Sequence, residues 1–348
     1  MLSVQQIIEE LRAYNGRQLK LMEVCGTHTA SIFKNGIRSF LSDKIKLISG
    51  PGCPVCVIPT GYIDRAIELA QQKDHVLLSF GDMLKVPGQE MSLSEAKARG
   101  ARVEMIYSPL EVLPRALENL RQTFIIAAVG FETTAPTYTL LLEKAIEQKL
   151  PNIKLLTALR TIIPALDSLC LSEPDIDGFI APGHVSAIIG QEVYKPLALK
   201  YKRPFVTTGF TTEHILASIY DLMKQSQNGK HEVHNLYPAV VAEEGNKIAV
   251  QQLEKYFTAD VAYWRGIGKI PQSGLYLKEE YNSFDAGSRD NALQDKTPVH
   301  CKCGSVITGR IAPNECPMFG KGCTPMKPQG PCMVSSEGTC GIWFRHGR

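Results

Sequence analysis

The chain has 348 residues, 44% of them hydrophobic and 21% charged, with a formal net charge of +3. That length is ample for two or three cores, and so weak a charge, with no Lys/Arg stripe interleaved with aromatics, excludes electrostatic binding to nucleic acid or an anionic membrane as its business. No apolar run approaches the ~20 residues that cross a bilayer, and the first stretch carries Glu9, Glu10 and Arg12 in a helical pattern where a signal peptide would be apolar, so a cytoplasmic protein is expected. Ten cysteines in a reducing compartment then point to metal ligands or redox thiols before structural disulfides.

Leu2, Val4, Ile7, Ile8 and Leu11 fall at helical spacing and predict an amphipathic lead-in helix within residues 1–17. From about residue 18, strand-like apolar runs at 19–24, 45–49, 75–80, 102–107, 123–129, 153–158, 177–181 and 204–208 alternate with helical patterns. The latter lie near 28–40, 61–73, 92–99, 110–121, 134–149, 161–171, 184–200 and 211–225. Such alternation predicts βαβ units and an α/β fold of parallel sheets with helices on both faces. The expected division is two similar α/β domains, 18–120 and 121–225, followed by a Cys-rich C-terminal region, 226–348, reached through the linker Gln225-Ser226-Gln227-Asn228-Gly229. From Pro298 the pattern turns rich in Pro, Gly and Cys and too poor in apolar periodicity to pack alone.

In parallel sheets, ligands collect beyond the carboxyl ends of the strands. The unusual residues stand there: Cys25 and His28, Cys53 and Cys56, Asp82, Glu132 and Thr133, and His184. In Gly50-Pro51-Gly52-Cys53-Pro54-Val55-Cys56, two thiols three positions apart on a Pro/Gly-stiffened loop can close into a disulfide or share a metal. A zinc version would recruit Cys25 and His28 as the remaining ligands. Cys25 and His28 are themselves i and i+3 at the start of a helix, where the thiol is acidified and both side chains could grip one ion. The plainer reading is a capping loop with Thr27 or Thr29 as N-cap. Glu132 reads either as a first-turn acid matched to the helix dipole or as a proton relay beside the thiols. His184 reads as a cap histidine or a loop ligand, and Cys170, in an apolar helical pattern, as core. No phosphate-binding loop, dinucleotide fingerprint or nucleophile elbow is present.

The tail thiols are Cys301, Cys303, Cys316, Cys323, Cys332 and Cys340. Four thiolates satisfy either a zinc ion or a 4Fe-4S cubane. The long, irregular spacings lack the paired knuckles of zinc sites and favour a cluster wrapped by loops, on Cys301, Cys316, Cys323 and Cys340. Cys303 is the alternative to Cys301, and Cys332 is left as a spare buried thiol.

Five segments now carry a resemblance: Cys25-Gly26-Thr27-His28-Thr29, the Gly50–Cys56 loop, Gly130-Phe131-Glu132-Thr133-Thr134-Ala135-Pro136-Thr137, Pro182-Gly183-His184-Val185-Ser186 and Gly330-Pro331-Cys332-Met333-Val334-Ser335-Ser336-Glu337-Gly338. In order, and over nearly the whole chain, they resemble those of the HypD family of nickel–iron hydrogenase maturation factors. The resemblance implies two Rossmann-like parallel-sheet domains plus a C-terminal iron–sulfur domain carrying a 4Fe-4S cluster. It implies a scaffold on which the Fe(CN)2CO group is assembled together with a HypC-type chaperone and a HypE-type cyanide donor. Carried over, Cys25 is the iron-holding thiolate, shared with a cysteine of the chaperone; His28 lies beside it, and Cys53 and Cys56 are the redox pair. Glu132 and His184 belong to the family's motifs without an assigned role. Two rivals stand beside this: a cluster-dependent disulfide reductase acting on a protein substrate through Cys53 and Cys56, and a zinc-stabilised interaction module.

Overall fold

The structure, a computed structural model, describes residues 2–289 and 300–347. Its strands are β1 (Leu19–Glu23), β2 (Ile45–Ser49), β3 (His75–Ser79), β4 (Val103–Met105), β5 (Thr123–Gly130), β6 (Ile153–Arg160), β7 (Gly178–Pro182), β8 (Phe205–Thr208), β9 (Val233–Asn235), β10 (Phe257–Trp264) and β11 (Gly268–Leu277). Each of the eight predicted apolar runs is one of the first eight strands. The unbroken run Phe124–Val129 shows why: a central parallel strand is covered on both faces, and every one of those six side chains is buried.

Two sheets result. The first, in the order β2-β1-β7-β8-β9, is parallel throughout. The second, in the order β10-β11-β6-β5-β3-β4, is parallel from β6 to β4, and the β10–β11 hairpin is added antiparallel on β6. The α/β class with two mostly parallel sheets is as expected.

The partition of strands between the sheets is not. A cut near residue 120 would place β1–β4 in one sheet and β5–β8 in the other. Instead the chain starts the first sheet, leaves after β2 to build β3–β6 of the second, and returns for β7–β9. The two helices that make these transfers, Thr60–Ala70 and Ile162–Ser172, are buried in the largest apolar cluster. That cluster takes Met22 and Phe179 from the first sheet and Leu77 and Ile125 from the second. Hydrophobic alternation reveals that a crossover exists but not the sheet in which it lands, because either landing buries the same helix face.

Residues 226–289 also depart from the expected C-terminal region. They complete both sheets, through β9 at one edge and the hairpin at the other, with the helix Lys247–Tyr256 between them. The predicted helix at 184–200 is two helices, Gly183–Ile189 and Lys195–Tyr201. Between them Gly190 has φ +82°, and a Cβ there would stand 2.3 Å from the Glu243 carbonyl oxygen.

The thiol-rich tail is the remaining unit. Its predicted start at Pro298 lies outside the described residues; from residue 300 it forms only short helices, Cys303–Ile307, Pro331–Val334 and Thr339–His346. It has no separate apolar core, since Val306, Ile307 and Met333 join the cluster between the sheets. The seam is tight: a Cβ on Gly266, in the β10–β11 turn, would lie 2.2 Å from the Gly304 Cα. Among the described residues, no helix is long and apolar enough to cross a membrane.

Candidate functional site

β1 ends in Glu23, and Cys25 follows in extended conformation (φ −152°, ψ 124°) as the N-cap of the helix Gly26–Lys34. The capping position assigned by sequence to Thr27 or Thr29 is thus held by the cysteine. The residue is 7% exposed. Burial pushes its pKa up to about 12, with the Glu337 carboxylate adding to the rise and the His28 and Thr27 amides opposing it.

Beneath the loop lies a residue that sequence reasoning missed. Buried Glu23 accepts hydrogen bonds from the Cys25 N–H at 3.1 Å and from the Thr29 hydroxyl, and Ser49 bonds it as well. Its backbone carbonyl takes the Gly50 N–H at 2.7 Å. One acid therefore ties the Cys25 loop to the Gly50–Cys56 loop. Desolvation raises its carboxyl to about 7, against the pull of these donors. The available signal was a charged residue closing an otherwise apolar strand.

The two loops touch. A Cβ on Gly52 would stand 2.3 Å from the Cys25 nitrogen and 2.5 Å from its Cα, so only glycine allows this approach. Just beyond, Cys53 and Cys56 form a disulfide with Cα atoms 5.3 Å apart, both sulfurs buried. The short turn Val55–Val57 sets this spacing, and the Cys56 N–H points to the Cys53 carbonyl at 3.1 Å and to its sulfur at 3.2 Å. A small void lined by Gly26, Cys53, Cys56, Cys332 and Glu337 joins the disulfide to the tail.

His28 points elsewhere. Its Nε2–H donates to the Gly209 carbonyl at 3.0 Å, and its ring packs on Phe210, centroids 4.7 Å apart. Nδ1 has no partner among the described residues. Burial lowers its pKa to about 4, so the ring is neutral, and with Nε2 committed only Nδ1 could serve a ligand. Exposed His184 stacks on the same Phe210 at 4.2 Å. Phe210 is thus a second residue that the motifs did not single out.

Glu132 caps a helix, but not its own. Oε1 accepts the Ile162 N–H at 2.8 Å, at the start of the transfer helix Ile162–Ser172. Oε2 has no partner among the described residues. Tyr194, whose hydroxyl meets Ser186 at 2.9 Å, lies within electrostatic reach of both Glu132 and Cys25. Burial raises the Glu132 carboxyl to about 7. Between pH 4.5 and 7 the unfolded chain therefore releases this proton while the folded chain keeps it, and stability falls as pH rises. Glu132→Gln removes that loss: urea unfolding should show little gain over the parent at pH 5 and one of about 3 kcal/mol at pH 8. A gain independent of pH would disprove the assignment.

All six tail thiols line one cavity, five of them buried and Cys301 partly so. Cys332, set aside by spacing as a spare, stands in the same wall. It contacts Cys303 and Cys340, and its sulfur accepts the Cys340 N–H at 3.2 Å. Cys323 accepts the Gln329 N–H at 3.3 Å. Mutual contact and burial push the pKa of Cys301 and of Cys332 up, so a bound cation would have to displace their protons. Among the described residues, no three His, Cys, Asp or Glu side chains are set to grip a single metal ion. Six sulfurs around one cavity are more than the four thiolates that a cubane would require. Cys170 is core, 2% exposed.

Two interleaved α/β sheets carry an N-cap cysteine, a disulfide and a six-thiol tail gathered at their loop ends, and together define a cysteine-rich α/β protein. The chain belongs to the HypD family: the model of that family, described as "Hydrogenase formation hypA family", matches residues 2–347. It is 40% identical over 355 residues to the hydrogenase maturation factor HypD of Escherichia coli (strain K12), covering 99% of this chain and 95% of that one. The factor of the same name from Azotobacter vinelandii is 39% identical over 344 residues, covering 95% and 90%. That from Rhodobacter capsulatus is 36% identical over 353 residues, covering 99% and 93%.

Proposed function

We propose that this protein acts in hydrogenase maturation as the scaffold on which the Fe(CN)2CO unit is built, working in the cytoplasm with a HypC-type chaperone and a HypE-type cyanide donor. The observation that carries the reading is the contact of the Cys25 loop with the Cys53–Cys56 loop, and of both with the tail. Three cysteine-bearing segments, remote in sequence, meet there: Gly52 packs on the Cys25 backbone, and Gly26, Cys53, Cys56 and Cys332 line one void.

The iron to be built upon is cargo. Low-spin iron that binds cyanide and carbon monoxide calls for an electron-rich ligand, and Cys25 supplies it as thiolate once its proton is displaced. Glu23 fixes the loop that presents the sulfur, and the neighbouring apolar cluster keeps water away. His28, neutral and anchored on Gly209, holds the helix that Cys25 caps against the loop after β8. Opening the Cys53–Cys56 disulfide takes two electrons and two protons and yields two thiols beside Cys25. In the tail, Cys316, Cys323 and Cys340 with Cys301 would hold a 4Fe-4S cluster. Cys303 and Cys332 line the same cavity as alternatives for the fourth position. Such a group stores single electrons.

The test is infrared spectroscopy of the complex with the chaperone. The parent should show iron–cyanide and iron–carbonyl stretches, and Cys25→Ala should show neither, with cluster iron unchanged. Persistent bands in Cys25→Ala would reject its role and favour disulfide reduction of a protein substrate.

A further inference from the structure

Cys25 cannot share a metal with another protein while it is buried, and the tail segment Cys332–Cys340 lies against its loop. Both ends of that segment stand in the thiol cavity, and its middle lies on the first turn of the helix that Cys25 caps. A Cβ on Gly26 would stand 2.4 Å from the Glu337 carbonyl oxygen and 2.5 Å from its Cβ. The segment's own ends close on glycine too: a Cβ on Gly338 would be 2.2 Å from the Cys332 carbonyl. Seams without side chains let two backbones meet without interlocking.

The fastenings differ along the segment. Its backbone hydrogen bonds are local, from Met333 to Gly330, from Ser335 to Pro331 and from Gly338 to Ser335, and the helix beyond begins with Ile342 to Gly338. Outward, Met333 at its start joins the apolar core and the Arg345 guanidinium donates to the Ser336 carbonyl at 2.9 Å; the remaining ties are side-chain bonds to carboxylates. Thr27 donates to Glu337 Oε1 at 3.4 Å, and the Ser335 and Ser336 hydroxyls share Asp82 Oδ2 at 3.2 and 3.3 Å. These are long bonds to carboxylates, two of them on exposed Asp82, with a void beneath. The segment is anchored at the thiols and, through Met333, in the core, and its middle, Ser335–Glu337, is held over the Cys25 loop by these long bonds and the Arg345 contact.

We propose that the middle of this segment, Ser335–Glu337, is a cover over Cys25, hinged at the thiol-bearing ends, which lifts to admit the iron donor and a partner's thiol and is held down when the cavity is loaded with metal. What the cover serves, though not its existence, rests on the reading of Cys25 as the iron-holding thiol.

The full chain is treated with iodoacetamide and labelling is read by peptide mass spectrometry at Cys25, with core Cys170 as internal reference. Asp82→Ala frees both serine hydroxyls, so Cys25 should label about tenfold faster while Cys170 is unchanged. In the parent, Cys25 should label more slowly in metal-loaded than in metal-stripped protein. Labelling of Cys25 in Asp82→Ala at the parent rate overturns the proposal. If Asp82→Ala speeds Cys170 as well, the fold has loosened and Ser336→Ala decides: a rise at Cys25 alone supports the cover, and none sinks it. Should labelling follow the cover while Cys25→Ala keeps its iron–cyanide bands, the assembly reading fails and the cover stands.

Discussion

Gly52→Ala should abolish iron–cyanide loading while leaving the melting temperature within a few degrees of the parent. The added methyl would meet the Cys25 nitrogen at 2.3 Å, the Val24 carbonyl carbon at 2.4 Å and the Cys25 Cα at 2.5 Å. All three are backbone atoms, so no rotamer change relieves the clash, and one loop must retreat by about 1 Å to restore ordinary contact. A displacement of that size at a reacting centre costs roughly a hundredfold. The sheets beneath need not move, because Glu23 still holds each loop's root through the Cys25 and Gly50 amides. Infrared bands of the chaperone complex, beside a thermal melt, read the two effects separately. Full bands in Gly52→Ala would show that the contact of the two loops is incidental to loading. A collapse of the melt would show instead that the loops support the fold.

The contrast between what the chain announces and what it conceals follows from the range of the interactions. β5 and β6 are central strands buried on both faces, and their near-continuous apolar runs are visible within eight residues. β9, only Val233-His234-Asn235 at a sheet edge, presents no such run, and Pro271 interrupts β11. Loop ends bearing Cys25, Cys53, Cys56, Glu132 and His184 were legible because residue types foreign to an apolar run stand directly after each strand. Their orientation was not. The i, i+3 spacing of Cys25 and His28 suggests a shared ion, but the imidazole finds Gly209, 181 residues away, and nothing local to the helix encodes that partner. Glu132 likewise caps a helix that begins 30 residues later. Cys332 was set aside on spacing alone, and spacing cannot report that its sulfur meets the Cys340 amide across a turn.

Stripping metal from the protein should open the tail to protease and leave the two sheets intact. Residues 300–347 bring few apolar anchors, chiefly Val306, Ile307, Met333 and Ile342, and none of these lies between Cys316 and Gly330. Within that stretch the hydrogen bonds run from Phe319 to the Cys316 carbonyl, from Cys323 to Met318 and from Gln329 to the Cys323 sulfur, so it is tied to itself and to one thiol. With a metal group on Cys316 and Cys323, ordering the stretch is part of the binding free energy; without it, the entropy of about fifteen residues opposes order with little burial to offset it. Lys321 and Lys327 are exposed there, beside Met326 at 91% exposure. Trypsin should cut after Lys321 about a hundredfold faster after chelation and anaerobic desalting, while Lys327, followed by Pro328, resists and the fragment holding both sheets persists. Cys316→Ala and Cys323→Ala should imitate the stripped protein without chelator, and Cys170→Ala should not. Equal protection with and without metal would mean that side-chain packing alone holds the tail, and the thiols would need another purpose.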